Sequence, residues 1–428
     1  MTLNARILTA AYCSFALLSN SVAQPPQRQE TTIDGVVFSL ADGLNLEKVA
    51  GEGLIKWPIV ADFDPQGRLV VAESGGVGWP IQEHNQQGLH KIVRLVDTDH
   101  DGKFDKRIVA AEDLAFPEGV LCLGDRILVS APPVIWELTD SDGDGVCENR
   151  EVWFDGKTVT NCANDLHGPY LGRDGWVYWC KGAFGEQTHT LVDGSTFQSS
   201  AAHIYRKRDD SSLIEPLISG GMDNPVEMAF IPEGEKLFTS TFLQHPGGGL
   251  RDGIAHAVYG GLHGKDHRVI EGHVRTGGLM PIMTQLGPAA PSGLICLETD
   301  HLVGSLPDSR QQRFLCAALF NLHKVTAHRL IRDGASYRTD DYDLLSTDRV
   351  DVHPTDVIED ADGSLLVLDT GGWYDLCCPT SRIDQKTASG GIYRITSKQS
   401  REQEISTEAV DWKSLDPAQT AALLHDRR

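Results

Sequence analysis

The chain has 428 residues, with 38 Lys and Arg against 60 Asp and Glu, a formal net charge of −22. That balance excludes nucleic acid and anionic membrane as partners and suits an exported protein that binds cations. The length exceeds one ordinary core, so two domains or one repeat architecture must hold it.

Residues 1–23 read as a secretory signal peptide. Arg6 precedes an apolar stretch from Ile7 to Leu18, and Ser21-Val22-Ala23 offers a small-residue cleavage site ahead of Gln24. The stretch is too short to span a membrane as a stable helix, and no second apolar run of spanning length follows. Cys13 lies inside it behind Tyr12, so it is no lipobox cysteine. A periplasmic or extracellular location is expected, and the eight cysteines of the mature chain predict disulfides there.

Residues 24–398 repeat one unit: an apolar strand, a Gly turn, a second apolar strand. The turn glycines are Gly67, Gly124, Gly175, Gly234 and Gly363, spaced 124 − 67 = 57, 175 − 124 = 51, 234 − 175 = 59 and 363 − 234 = 129 residues apart. The last gap has the length of two units, and the missing one is Gly293–Val303 with Phe314–Leu319. Six such units predict an all-β fold, a six-bladed β-propeller of four-stranded blades. The early strand Leu44–Ala50 is predicted to complete the last blade beside Gly391–Ile395 and close the ring. Residues 399–428 read as a linker and the start of a helical region, with a capped helix from Asp416 to Leu424.

Two acidic loops interrupt the first two units. One carries Asp97, Asp99, Asp101 and Asp105 around Gly102; the other carries Asp140, Asp142, Asp144 and Glu148 around Gly145. Acids at alternating positions, Gly at the sixth place and an acid at the ninth give a hard cation many oxygens on one turn, as Ca²⁺ requires. Ile108 and Glu151 fall at the twelfth position and no helical pattern flanks the loops, so neither is an EF-hand. Each joins β-rich runs, His90–Val96 to Lys106–Val109 and Val134–Leu138 to Arg150–Trp153. They therefore mark the repeat as well as a structural calcium site. The alternative, solvated acidic turns, is opposed by repulsion among clustered carboxylates.

Phe63–Leu69, the Asp140 loop, His167–Tyr178, Asn224-Pro225, Ala290–Gly293, Asp369–Trp373 and Gly391–Arg394 resemble a known propeller. It is the N-terminal domain of large exported planctomycete proteins described as membrane-bound dehydrogenase domain or PVC-type haem-binding proteins. That propeller is similar to soluble quinone-dependent glucose and sorbosone dehydrogenases. The resemblance runs from about Phe38 to Ile395. It implies a dehydrogenase that oxidises a sugar or polyol with pyrroloquinoline quinone, served by a cytochrome c module in the same protein or in trans. The chain contains no Cys-x-x-Cys-His, so no c-type haem attaches to it, and it reads as a fragment or a shortened member.

By that resemblance His167 takes the substrate's hydroxyl proton, Asp165 orients it, and Asn224 belongs to the cofactor site. A neutral imidazole in a polar funnel is a sound general base; the alternative is a histidine that only hydrogen-bonds backbone. Where the family has Arg this chain has Asp223, a charge that repels a tricarboxylate cofactor. The loops opening the blades also offer Glu118, Glu227, His353 and Asp356 toward the axis, with His167 and Asn224. That is an oxygen-rich set for one divalent ion. Gluconolactonase-like propellers use such a set to polarise a lactone carbonyl, which makes a metal-dependent hydrolase the second class. A non-catalytic, calcium-stiffened module that recognises glycans or proteins is the third.

The stretch from His245 to Pro288 shows little strand pattern and holds His245, His256, His263, His267 and His273. Loops this long are commonly functional lids or mobile. His263 and His267 stand four apart without a helix to use that spacing, so a Gly-rich surface loop with solvated histidines is expected over a transition-metal site. Cys377 and Cys378 are adjacent and could form a vicinal disulfide or two separate bridges. Cys162 with Cys180, and Cys296 with Cys316, flank β-units and are candidate pairs.

Overall fold

The computed structural model describes residues 27–160, 166–244, 250–306, 312–372, 383–398 and 415–422. Six antiparallel sheets stand in a ring as the blades of a propeller. Blade 1 is Pro58–Phe63, Leu69–Glu73, His90–Val96 and Lys106–Leu114; blade 2 is Gly119–Leu123, Arg126–Ala131, Val134–Thr139 and Asn149–Asp155. Blade 3 is His167–Leu171, Trp176–Lys181, Ala202–Arg208 and Glu215–Gly220; blade 4 is Asn224–Phe230, Lys236–Thr241, Asp252–His256 and Ile282–Gly287. Blade 5 is Pro291–Cys296, Arg313–Leu319, Lys324–Asp333 and Ser336–Ser346. Blade 6 is Pro354–Glu359, Leu365–Asp369 and Gly391–Ser397, closed on its outer edge by Leu44–Ala50 as expected. Residues 1–23, where a leader is expected, and most of 399–428 lie outside the described residues. Within the latter, Pro417–Ala422 is helical, and Asp416 and Gln419 each bond the other's backbone N–H at 2.8 Å, a reciprocal cap.

The turn glycines behave as their spacing implied. Gly67, Gly124, Gly175, Gly234 and Gly363 all have φ between 65° and 96°, the left-handed backbone that glycine adopts without strain. A second sixfold mark went unread in the sequence. Pro58, Pro117, Pro169, Pro225, Pro291 and Pro354 stand at or just before the first strand of successive blades. That strand has no ladder partner on its axial side, so a residue without an N–H costs nothing there and blocks strand addition.

Side chains of the second strands alternate between two interfaces. Leu69 and Val71 pack between blades 6 and 1, while Val70 and Ala72 pack between blades 1 and 2. Apolar runs without polar alternation follow from being covered on both faces. Each of the six blade interfaces holds its own apolar cluster.

The first strands are also stitched to one another. Asp356 Oδ2 accepts from Ala61 N at 2.9 Å, Asp62 Oδ2 from Cys122 N at 2.8 Å, and Tyr170 Oη donates to the Val226 carbonyl at 2.7 Å. Thr239 Oγ1, on the second strand of blade 4, donates to the Ser292 carbonyl on the first strand of blade 5 at 3.1 Å. Between blades 2 and 3 the backbones themselves meet, at Gly119 and Gly168.

Four expectations need correction. His245 lies outside the described residues, and 250–288 is not one surface loop: Asp252–His256 and Ile282–Gly287 are the outer strands of blade 4, and Gly261–His263 pairs parallel with blade 3. His256 and His263 are buried there, not solvated. Cys296 and Cys316 are not a disulfide; in the ladder Cys316 faces Ile295 and Cys296 faces Leu315, so the one-residue offset sends the two thiols to opposite sides of the sheet. Cys180 is a buried thiol, and Cys162, Cys377 and Cys378 lie outside the described residues. A helix at Ile81–Gln87 was not anticipated, although Pro80 before it and Gly88, left-handed after it, punctuate it. Lastly, the hairpin Arg28–Ile33 and Val36–Ala41 extends blade 5 to six strands.

His263 carries a prediction. It is fully buried, lies edge-on to Phe238 at 5.2 Å, and neither ring nitrogen has a hydrogen bond among the described residues. Burial, then His256, pushes its pKa down to about 4. The unfolded chain takes up a proton there near pH 6.5. A depressed histidine pKa stabilises the fold least at low pH, so this contribution is lost as pH falls from about 6.5 toward 4. His263→Leu is expected to raise stability by about 1 kcal/mol at neutral pH by removing an unpaired buried group. It should also flatten the stability–pH slope near pH 5 by about 1.4 kcal/mol per unit. Urea unfolding across pH checks both; a less stable variant with an unchanged slope refutes the account.

Candidate functional site

The first strands run around an axis, and where they begin they enclose a cavity of about 140 Å³. β-Bulges interrupt the pairing just after Pro58, Pro225, Pro291 and Pro354, and between His167 and Tyr170. A bulge turns consecutive side chains toward one side, so Ile59 with Val60 and Val226 with Glu227 all reach the cavity. Its wall is mostly apolar, with Phe116 and Phe320 the largest rings, and its ionisable groups are Glu118, His167 and Glu227. Phe116 is held by the buried pair His84 and His90, whose rings lie edge-on to it at 5.2 and 5.4 Å. Burial keeps His90 neutral, with a pKa of about 3.

Of the residues expected at the axis, Glu118, His167 and Glu227 line the cavity, from blades 2, 3 and 4 in turn. Asn224 supports His167: its Nδ2 lies 3.0 Å from Nε2, and since an amide nitrogen only donates, Nε2 accepts. Two expected residues are elsewhere. His353 is fully buried, stacked behind Phe320 at 4.3 Å, with Nδ1 2.7 Å from the Gly371 carbonyl. Asp356 is engaged by the Ala61 and Val357 N–H groups at 2.9 and 2.8 Å, so the bulge at Pro354 aims it at blade 1 rather than at a ligand. Burial raises its pKa to about 7. Asp165 lies outside the described residues. Asp223 is not an isolated negative charge, because Lys265, brought in by the parallel strand Gly261–His263, forms an ion pair with it. Tyr170, whose hydroxyl reaches Glu227 at 3.1 Å, and Phe116 were missed. Their place beside the blade-opening prolines was the available signal.

The acidic loops lie at the other end of the blades, between the third and fourth strands of blades 1 and 2. Carboxylate oxygens of Asp97, Asp99 and Asp101 lie within 4.8 Å of one another, as do those of Asp140, Asp142, Asp144 and Glu148. Asp105 does not join the first group; its carboxylate accepts from Thr98 N at 3.3 Å and from Thr98 Oγ1 at 2.6 Å. Each loop docks on the preceding blade. Phe104 N donates to Val49 O at 3.0 Å on the closing strand, and Cys147 N to Ala110 O at 2.8 Å on blade 1. Buried Arg94 of blade 1 reaches Asp140 of the second loop; among the described residues the first loop has no such guanidinium. The described axial donors form no comparable cluster.

Residues 35–246 match a family model described as Domain of unknown function (DUF7133). No curated protein matches the chain. Among solved structures, the holo PQQ domain of pyranose dehydrogenase from Coprinopsis cinerea is similar, at 15% identity and TM-score 0.54, over 88% of this chain and 99% of that one. The PQQ-bound aldose sugar dehydrogenase of Streptomyces coelicolor aligns at 14% identity and TM-score 0.53, over 83% and 99%. A luciferin-regenerating enzyme aligns at 14% identity and TM-score 0.51, over 83% and 96%. The propeller is thus the fold of PQQ-binding sugar dehydrogenases, and it is shared with an enzyme of another name. No helix among the described residues is long and apolar enough to cross a membrane.

Proposed function

We propose that this chain is an exported, calcium-stiffened propeller whose axial cavity binds a sugar or polyol and oxidises its hydroxyl, the proton going to His167 and the hydride to a two-electron acceptor supplied from outside the chain. The observation that carries the reading is the His167–Asn224 pair opening blades 3 and 4 at the cavity, in the fold of PQQ-bound sugar dehydrogenases. The hydrogen bond from Asn224 Nδ2 marks Nε2 as the unprotonated ring nitrogen, and a substrate hydroxyl must displace that amide to reach its lone pair. Calcium belongs in the two acidic loops, whose oxygens already converge, and export rests on the leader at 1–23. A cytochrome c module or protein in trans is a matching electron acceptor.

Pyrroloquinoline quinone is a tricarboxylate and needs positive charge around it. No described Lys or Arg lines the cavity, two carboxyls do, and Lys265 is spent on Asp223. The residues present supply hydrogen bonds without the charge, so the quinone does not fit this cavity as it stands and no step runs through it. The same mismatch favours a second reading, a propeller that binds sugars without turning them over. Among the described residues the axial His, Asp and Glu side chains form no cluster of the kind a catalytic metal uses, so nothing there favours the hydrolase reading.

The test is dye reduction by the purified, Ca²⁺-loaded protein with a panel of sugars and polyols, with and without added quinone. His167→Ala is expected to lower the rate by about 100-fold or more while the melting curve stays unchanged. Sugar binding without dye reduction under either condition gives the answer to the recognition reading.

A further inference from the structure

Tyr170 has one hydroxyl proton and two oxygens within reach, the Val226 carbonyl at 2.7 Å and Glu227 Oε2 at 3.1 Å. A carbonyl only accepts, so the shorter contact uses the proton. The longer one is then the weak arm of a shared proton, or a full hydrogen bond in which a protonated Glu227 Oε2 donates to Tyr170 Oη. An ionised Glu227 would be the stronger acceptor and would draw the hydroxyl to about 2.5–2.7 Å. Asp356 repels charge from blade 6, Tyr170 faces Glu227 from blade 3 and favours the carboxylate to the extent that it donates there, and Glu118 and His167 share the cavity. Burial acts first and Asp356 second, both in favour of the protonated form. The other oxygen, Oε1, has no hydrogen bond among the described residues, and Glu227 forms part of the cavity wall.

We propose that Glu227 stands in the axial cavity as a neutral carboxylic acid, its proton held by Tyr170 and its carbonyl oxygen offered to the hydroxyl of an uncharged sugar or polyol. The choice of ligand rests on the sugar reading above; the protonation state does not. A neutral Glu227 also makes the cavity a poor seat for a divalent ion, which requires the carboxylate.

Infrared difference spectroscopy of the full chain at pH 7 separates the two parts. A protonated-carboxyl band is expected in the wild type, lost in Glu227→Gln and shifted in Tyr170→Phe. Its absence overturns the inference whatever the sugar results. Calorimetry with glucose, glycerol and gluconate tests the ligand. Glu227→Ala is expected to lower affinity for the uncharged probes by about fivefold, the effect of one hydrogen bond. Glu227→Gln, isosteric with the protonated acid, should restore most of it. Equal loss in both variants, or preference for gluconate, overturns the assignment. A carboxyl band without binding of any probe supports the protonated state and ends the sugar reading instead.

Discussion

Gly119→Ala is expected to abolish assembly of the ring, or to cost about 3 kcal/mol if the chain still folds. A Cβ built on Gly119 would lie 1.6 Å from the Gly168 carbonyl oxygen and 2.3 Å from its carbon. Both are backbone atoms, so no side chain can swing away. Gly119 opens the first strand of blade 2 and Gly168 sits in that of blade 3, where the two backbones touch instead of being joined by a side chain. Relief would require moving one blade outward, which the neighbouring stitches from Asp62 to Cys122 and from Tyr170 to Val226 resist. Glu118 and His167 flank the two glycines, so the cavity would open with the ring. Gly277→Ala is the control, since nothing lies within 4 Å of its Cβ and its φ is ordinary; it should leave the melting curve unchanged. A Gly119→Ala protein as stable as that control would show that the blades slide freely.

The ring was readable because each blade repeats two demands. The turn after the first strand needs a left-handed residue, and the second strand is covered on both faces. Glycines and unbroken apolar runs answer those demands at a regular spacing. Blade 4 hid its outer half for equally physical reasons. Bulges at Asp252/Gly253 and Ile254/Ala255 break the alternation, and a Cβ on Gly253 would lie 2.3 Å from the Thr284 carbonyl, so small residues stand where a strand would show Val or Ile. At the site, Glu118, His167, Asn224 and Glu227 were legible because they adjoin the loops that open the blades. Asp356 shares that position and was misread, since the bulge that re-aims it leaves no mark in composition. Lys265 arrives just beyond the strand Gly261–His263, which pairs parallel with Ile218–Gly220. No local pattern announces such a contact.

Calcium removal is expected to loosen the ring at its closure first. Both acidic loops bond to the outer strand of the blade before them, but the first grips Leu44–Ala50, the strand that completes the circle. Phe104 of that loop packs in the same cluster as Val49, Ala50 and Ile55, so the loop's shape bears directly on the seam. The two loops differ in what else neutralises them. Arg94 already meets Asp140 in the second, whereas no described Lys or Arg pairs with Asp97, Asp99 or Asp101, and Lys103 of that loop pairs with Glu47 at 3.6 Å. The first loop therefore depends more on a bound cation. A hundredfold excess of Ca²⁺ over its Kd contributes about 2.7 kcal/mol, so chelation should lower the melting temperature by about 5 °C. Asp99→Ala should remove most of that response, Asp142→Ala a smaller part, and the double variant all of it. The expected order follows from Arg94 alone. Equal losses from the two single variants would refute the role given to that guanidinium, and a melting curve indifferent to thorough chelation would refute calcium in both loops.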